Sequence, residues 1–286
     1  MHTQASIGGI KYFAGIYMGN ANYAHSFSNY GTFAGGFQYV NYGSFPHTDE
    51  TGTILSEFTA DESNMTVGWA YPFDSIFSCG ANIKMIYSQL EGYNSFGMAV
   101  DLAGSYINQK NNLSLSAIIK NAGLQLDTYV DGNSDPLPFD IQLGVTKRLK
   151  HVPFRLSVLG HHLYQFDIRY DDPAMVQTTT FSNDSSAKEK KYIADKIFRH
   201  FIFGGEILLS KNFELRFGYN HLKRAELSID DKFTMAGFSF GFGIHVKKFG
   251  FSYGRSIYHA AGSFNHITFS ARISEFITSR SSKNVL

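Results

Sequence analysis

The sequence is poor in cysteine, proline, tryptophan and charge. Of its 286 residues one is Cys, 6 are Pro, one is Trp, and 17% are Asp, Glu, Lys or Arg. A lone Cys79 excludes an intrachain disulfide framework and a zinc cluster of cysteines. Soluble domains carry about one quarter charged residues, and this chain falls well short. Its net charge of +1 offers no electrostatic footprint for nucleic acid. No run approaches the ~20 apolar residues of a membrane-crossing helix. Met1-His2-Thr3-Gln4 shows no charged n-region, apolar core or small-residue cleavage site, so the expectation is that a signal segment precedes the given residues. Long stretches with apolar residues at helical spacing are missing as well.

What is present is 27 Phe, 17 Tyr and 27 Gly, arranged in alternation. In "FSFGFGIHVKKFGFSYG" (238–254), Phe238, Phe240, Phe242, Ile244 and Val246 alternate with Ser239, Gly241, Gly243 and His245, and the pattern resumes after Lys247-Lys248. Successive strand side chains point to opposite faces, so one face is large and apolar and the other small and polar. Similar segments predict about fourteen strands, at 3–11, 14–27, 31–42, 55–72, 76–90, 93–108, 112–122, 138–149, 153–166, 198–210, 213–221, 233–247, 249–259 and 264–274. Most reach the roughly nine to eleven residues that a tilted membrane strand needs, and an even count suits an outer-membrane barrel.

The connections alternate between tight turns (Ser28 to Tyr30, Phe73 to Ser75, Gln109 to Asn111, Lys150 to Val152, Lys211-Asn212, Lys247-Lys248) and longer loops (Gly43 to Ile54, Gly123 to Leu137, Asp167 to Ile197, Lys223 to Lys232). Short periplasmic turns facing long extracellular loops give that rhythm. A soluble β-sandwich with one wet face shows the same alternation of residues. Against it stand the strand lengths, the loop rhythm, and aromatics (Phe77, Tyr87, Phe154, Phe213, Tyr219, Phe249, Tyr253) at the ends of apolar faces, as in interfacial girdles. The chain therefore reads as one all-β transmembrane antiparallel barrel over residues 1–274, with a periplasmic tail over 275–286.

On this reading Lys84, Asp101, Lys120, Asp140, Arg155, Glu206, Glu214, Arg216 and Arg272 face the lumen. Facing lipid, each Lys or Arg would cost about 2–4 kcal/mol near the midplane. Enzyme chemistry is not expected. The glycines of "FAGGF" and "GFSFGFG" lie within strands, without the strand-to-helix context of a phosphate loop, and no G-x-S-x-G elbow occurs. Cys79 falls on the apolar face as a small hydrophobe. His161 and His162, adjacent in a predicted strand, are expected on opposite faces and therefore not around one ion, and His200 lies at no ligand-like spacing from them. His245, His259 and His266 read as hydrogen-bonding residues of lumen or interface. No metal or cofactor is expected.

Five segments, "YFAGIYMGNANYAHSFSNYGTFAGGFQYVNYG", "DETG", "GANIKMIYSQLEGYNSFGMAVDLAGSY", "DGNSDPLPFDIQLGVTKRLKHVPFRLS" and "FSFGFGIHVKKFGFSYGRSIYHAAGSFNHITFS", cover much of Tyr12 to Ser270. In them the chain resembles the PorQ family of type IX secretion system outer-membrane proteins of the Bacteroidetes. The resemblance implies a barrel of the FadL-like superfamily within the cell-surface attachment complex, beside PorU, PorV and PorZ. In that complex the sortase-like PorU joins cargo to anionic lipopolysaccharide, and the barrel is a scaffold that holds PorZ. It further implies a signal peptide and a lumen-packing segment before Met1. The other function considered is FadL-type transport of hydrophobic small molecules.

Overall fold

The structure, a computed structural model, describes residues 3–130, 132–169, 193–227, 235–259 and 262–274. The predicted tail 275–286 and the greater part of the predicted 167–197 loop lie outside the described residues.

Period-two alternation becomes fourteen antiparallel strands: β1 (Thr3–Lys11), β2 (Tyr17–Phe27), β3 (Gly31–Thr48), β4 (Ile54–Pro72), β5 (Phe77–Leu90), β6 (Tyr93–Asn108), β7 (Leu113–Asp127), β8 (Asp140–Arg148), β9 (Phe154–Gly160), β10 (Phe201–Leu208), β11 (Phe213–Asn220), β12 (Phe238–Val246), β13 (Phe249–His259) and β14 (Gly262–Arg272). Each pairs with its neighbour in sequence, and β1 pairs with β14, so the sheet closes into a barrel without free edges.

Register keeps the two faces apart. Phe37, Met65, Met85 and Met98 form one row across β3 to β6, and the row beside it is Gly36, Thr66, Lys84 and Ala99. The first kind of row is exterior: Ile7 is 62% exposed, Leu143 53% and Phe269 56%. The buried hydrophobic residues among those described are only Ala60, Ala99 and Ala236. The barrel thus has no apolar core and carries its large apolar side chains outside. Burying such a side chain is worth about 1.5–3 kcal/mol, and a belt of them calls for an apolar solvent. Exposed Tyr30, Phe33, Trp69, Phe73, Phe77 and Phe249 cluster toward the short-turn end, where Trp69 Nε1 donates to the Tyr30 carbonyl at 2.8 Å. Tyr17, Tyr39, Tyr87 and Tyr93 are exposed toward the opposite end. These are the positions of interfacial aromatic girdles. No helix among the described residues is long and apolar enough to cross a membrane.

The wall has unequal height. β3 and β4 run 18 and 19 residues, whereas β9 has 7 and β10 and β11 have 8 each. The low side carries two short helices, α1 (described over 193–199) and α2 (His221–Leu227).

Several boundaries differ from the sequence reading. Gly43 to Ile54 is not a long loop: β3 continues to Thr48 and β4 starts at Ile54. The register shifts between Asn41 and Ser44, at Gly43 with φ 90°, and that bulge disrupts the alternation on which the reading rested. Likewise β7 runs on to Asp127, past a register shift opposite Val100 and Leu102 where Asn121 has φ 55°. β9 ends at Gly160, short of the predicted 166. The predicted loop from Lys223 begins within α2, a helix of only 7 residues that starts at His221, too short to show helical periodicity.

Candidate functional site

The inner face begins with its charges. Lys84, on β5, reaches across to Asp101 on β6, with Nζ 2.7 Å from Oδ2 and 2.8 Å from Oδ1. Asp101 also accepts from the Asn121 backbone N–H at 2.9 Å, and Lys84 Nζ donates to the Asn121 side chain at 2.9 Å. Asn121 reaches this network through the bulge. Farther around, Arg148, Arg155, Glu206 and Arg216 share one register row across β8 to β11. Arg155 pairs with Glu206 at 3.2 Å, and Arg216 pairs with Glu214 two residues away on its own strand. Lys120 and Asp140 are register partners on β7 and β8, and Asp140 Oδ2 accepts from Gln142 Nε2 at 2.6 Å. Arg272 stands opposite Gln4. The register places all nine charged residues singled out in the sequence on the face opposite the exposed apolar rows, and six of them form three ion pairs, Lys84–Asp101, Arg155–Glu206 and Arg216–Glu214.

Between the charges the inner wall is made of small residues. Asn22 and Asn82 lie flat over Gly36 and Gly68 on the adjacent strands; a Cβ on Gly36 would meet Asn22 Oδ1 at 2.7 Å, and one on Gly68 would collide with Asn82 Oδ1. Two interior cavities follow. One of about 560 Å³ is lined by Ser6, Asn22, Gly36, Thr66, Asn82 and Arg272 among others. A second of about 500 Å³ is lined by Arg216, Gly241, Ser252, Gly254, His266 and Thr268 among others. His245 borders the first, and His266 bonds Thr268 Oγ1 at 3.0 Å. Both linings are mixed: the first is about evenly polar and apolar, and the second, with Ile10, Phe240 and Phe264, is more apolar than polar.

The long-connection end is built differently. Lys223 of α2 places Nζ 5.2 Å from the Tyr258 ring centroid and 5.9 Å from that of Phe264, and the Tyr12 ring lies 4.9 Å from Phe264. Burial pushes the Lys223 ammonium below its usual range. Burial, and then the neighbouring Tyr258, raise the Tyr12 phenol. Asp195 of α1 joins the two helices: Oδ2 accepts from Arg199 Nε at 2.8 Å, Oδ1 lies 3.1 Å from His221 Nε2, and His221 Nδ1 lies 2.9 Å from the Tyr219 hydroxyl. Burial raises the Asp195 carboxyl, yet the bonds and charges of Arg199 and His221 outweigh it and hold the group below the ordinary carboxylate value. Sequence reasoning missed Tyr12, Lys223, Asp195 and His221, because residues in connections acquire neighbours that no local period reveals.

The expected separation of His161 and His162 does not hold. β9 has ended at Gly160, and His162 adopts φ 54°, so strand alternation no longer applies. The two rings meet with Nδ1 atoms 2.5 Å apart, beside the Asp140 carboxylate. Burial first, and then the facing His162, lower the His161 imidazole below its ordinary value.

No protein-family profile matches the chain, and no curated protein matches it in sequence. Solved structures do match in fold. The toluene transporter TbuX of Ralstonia pickettii aligns over 95% of this chain and 89% of its own, with a TM-score of 0.52 at 8% identity. The toluene transporter TodX of Pseudomonas putida aligns over 95% and 88%, with a TM-score of 0.50 at 11% identity. At such identities the likeness is one of architecture. The fold is a closed fourteen-stranded antiparallel barrel of the architecture seen in TbuX and TodX.

Proposed function

We propose that this outer-membrane barrel is a scaffold whose long-connection rim holds an extracellular protein. The observation that carries this reading is the β3–β4 hairpin. β2 pairs with β3 up to Asn41 and β5 pairs with β4 from Ala60, so the segment beyond, from Ser44 to Thr59, rises roughly 20 Å past the wall at strand geometry. It presents Ile54 and Leu55 at 65% and 63% exposure. His47, opposite Ser56 in the outer half of the hairpin, bonds Glu91 of the β5–β6 turn at 2.8 Å, and Asp49 accepts from the Thr51 and Thr53 backbone N–H groups at 2.9 Å to fix the tip. An ordered apolar projection serves recognition better than permeation.

The resemblance to the PorQ family gives the partner its identity on this reading. It is a PorZ-like surface protein, held near the PorU sortase and PorV where secreted cargo is joined to lipopolysaccharide. Lipids of the outer membrane surround the apolar belt. The polar, ion-paired lumen supports a structural role for the barrel and no chemistry of its own.

One observation favours a second reading, transport of small molecules: the two interior cavities of about 560 and 500 Å³, in a fold shared with TbuX and TodX. Polar and charged groups interrupt both linings, Asn22, Asn82 and Arg272 in the first and Arg216 and His266 in the second, and fit purely hydrophobic cargo poorly.

Affinity purification from outer membranes in detergent separates the two. The scaffold reading expects an extracellular protein and a sortase-like protein to be recovered with the chain. It also expects their loss from a variant in which an Asn-Gly turn joins Ser44 to Thr59, its register partner. Recovery of the barrel alone with a bound apolar molecule would overturn it in favour of transport.

A further inference from the structure

Where β9 gives way to the connection toward β10, the chain folds back over the first residue of β8. The backbone N–H of His162 donates to Asp140 Oδ1 at 2.6 Å, and that of Leu163 donates to the Ile141 carbonyl at 3.2 Å. His161 is gripped from the other side. Its N–H donates to the His200 carbonyl at 2.9 Å, and its own carbonyl lies 2.9 Å from His200 Nδ1. Asp140 and His161 are 8% and 5% exposed. Around this fixed backbone, one ligand atom from each of Asp140, His161 and His162 lies within 4.8 Å of the others.

Two features single out this cluster. The Nδ1 atoms of His161 and His162 face each other at 2.5 Å, where two lone pairs repel unless a proton or a cation lies between them. His161 Nε2 is buried with no hydrogen-bond partner among the described residues. From these we infer that Asp140, His161 and His162 form a binding site for one divalent transition-metal ion of the zinc class.

The donor set decides the class. Two imidazole nitrogens and a carboxylate oxygen suit zinc, nickel or copper, whereas calcium and magnesium prefer all-oxygen sites. Zinc ligands sit about 2.0–2.1 Å from the ion and, in tetrahedral geometry, about 3.3 Å from each other, so side-chain rotations would open the 2.5 Å Nδ1 contact and draw in the 4.8 Å spread. Gln142 Nε2, on Asp140 Oδ2, holds the carboxylate in the manner of an outer-sphere partner. Three protein ligands leave a coordination position open. The ion would staple the start of β8 to the connection that leaves β9, fixing the low side of the rim. This site is independent of the scaffold reading.

The test uses the full chain without a histidine tag, in detergent, stripped with a chelator and titrated with ZnCl₂ by calorimetry, with metal content measured after gel filtration. One zinc per chain is expected, displaced by nickel and unaffected by excess magnesium. His162→Gln and Asp140→Asn should each weaken binding by at least about tenfold, since even outer-sphere losses cost 10–100-fold. His151→Gln, in the exposed β8–β9 turn, should leave it unchanged. Folding of each variant is checked by heat-modifiable migration; if Asp140→Asn fails that check, His162→Gln decides. Absence of saturable zinc binding in the wild type, or unchanged binding by a folded His162→Gln, would overturn the proposal.

Discussion

Lys84 and Asp101, on neighbouring strands, meet on the inner wall of the barrel with Nζ 2.7 Å from Oδ2, their side chains only 14% and 5% exposed. The pair is enclosed by Asn82 and Asn121, and it ties β5, β6 and the bulge of β7 together. Breaking a buried pair from one side leaves an uncompensated charge and costs about 3–5 kcal/mol. Asp101→Ala is therefore expected to lower the urea stability of the barrel in lipid vesicles by about 3 kcal/mol. The double change Lys84→Met with Asp101→Leu leaves neither charge and should recover much of the loss. Equal losses in the single and the double variant would show that the charges themselves matter little.

At the rim, Lys223 lies over Tyr258 and Phe264, and burial disfavours its charged form. Its folded pKa is depressed from 10.5, so the folded chain releases this proton at lower pH than the unfolded chain does. The cost of the buried cation is complete below the folded value and disappears as pH rises to 10.5. Tyr12 works the other way, because its phenol is raised from 10.0 and folding is disfavoured as pH climbs through that range. Comparing wild type with Lys223→Met at each pH removes the Tyr12 contribution. The melting temperature of the wild type should gain on that of the variant between neutrality and pH 10.5; a constant gap would contradict a depressed Lys223.

Asp195 holds α1 and α2 together through Arg199 and His221. Partly exposed pairs of this kind are each worth about 0.2–1 kcal/mol. Asp195→Ala should accordingly speed amide hydrogen exchange in 193–199 and 221–227 by a few-fold, while the barrel strands exchange as before. Tyr219→Phe removes only the outermost hydroxyl and should have a smaller effect. Exchange that rises throughout the barrel would mean that these helices are part of its cooperative unit.

The barrel was legible because its strands obey one rule, alternation, and the tight turns punctuate it: Lys247-Lys248 and Ser28 to Tyr30 fall where the pattern breaks. Legibility ended where one residue left that rule. Gly43 at φ 90° shifts the register of β3 and hid the projecting half of the β3–β4 hairpin. His162 at φ 54° turns a pair of neighbours from opposite faces to a shared one. The charged inner residues were recognisable one at a time from strand parity. Their pairing was not, since Lys84 with Asp101 and Arg155 with Glu206 depend on register between strands. Contacts among Tyr12, Lys223 and Phe264 join three connections or strand ends far apart in the chain, beyond the reach of any local pattern.

The central claim is the assignment of faces, and two adjacent residues of β4 test it. Val67 is 51% exposed on the exterior, and Thr66 lines the interior cavity of about 560 Å³. Folding free energies measured in lipid vesicles should show Val67→Arg destabilised by about 2–4 kcal/mol and Thr66→Arg by clearly less. The opposite order, or equal losses at the two positions, would contradict a barrel with its apolar face in lipid.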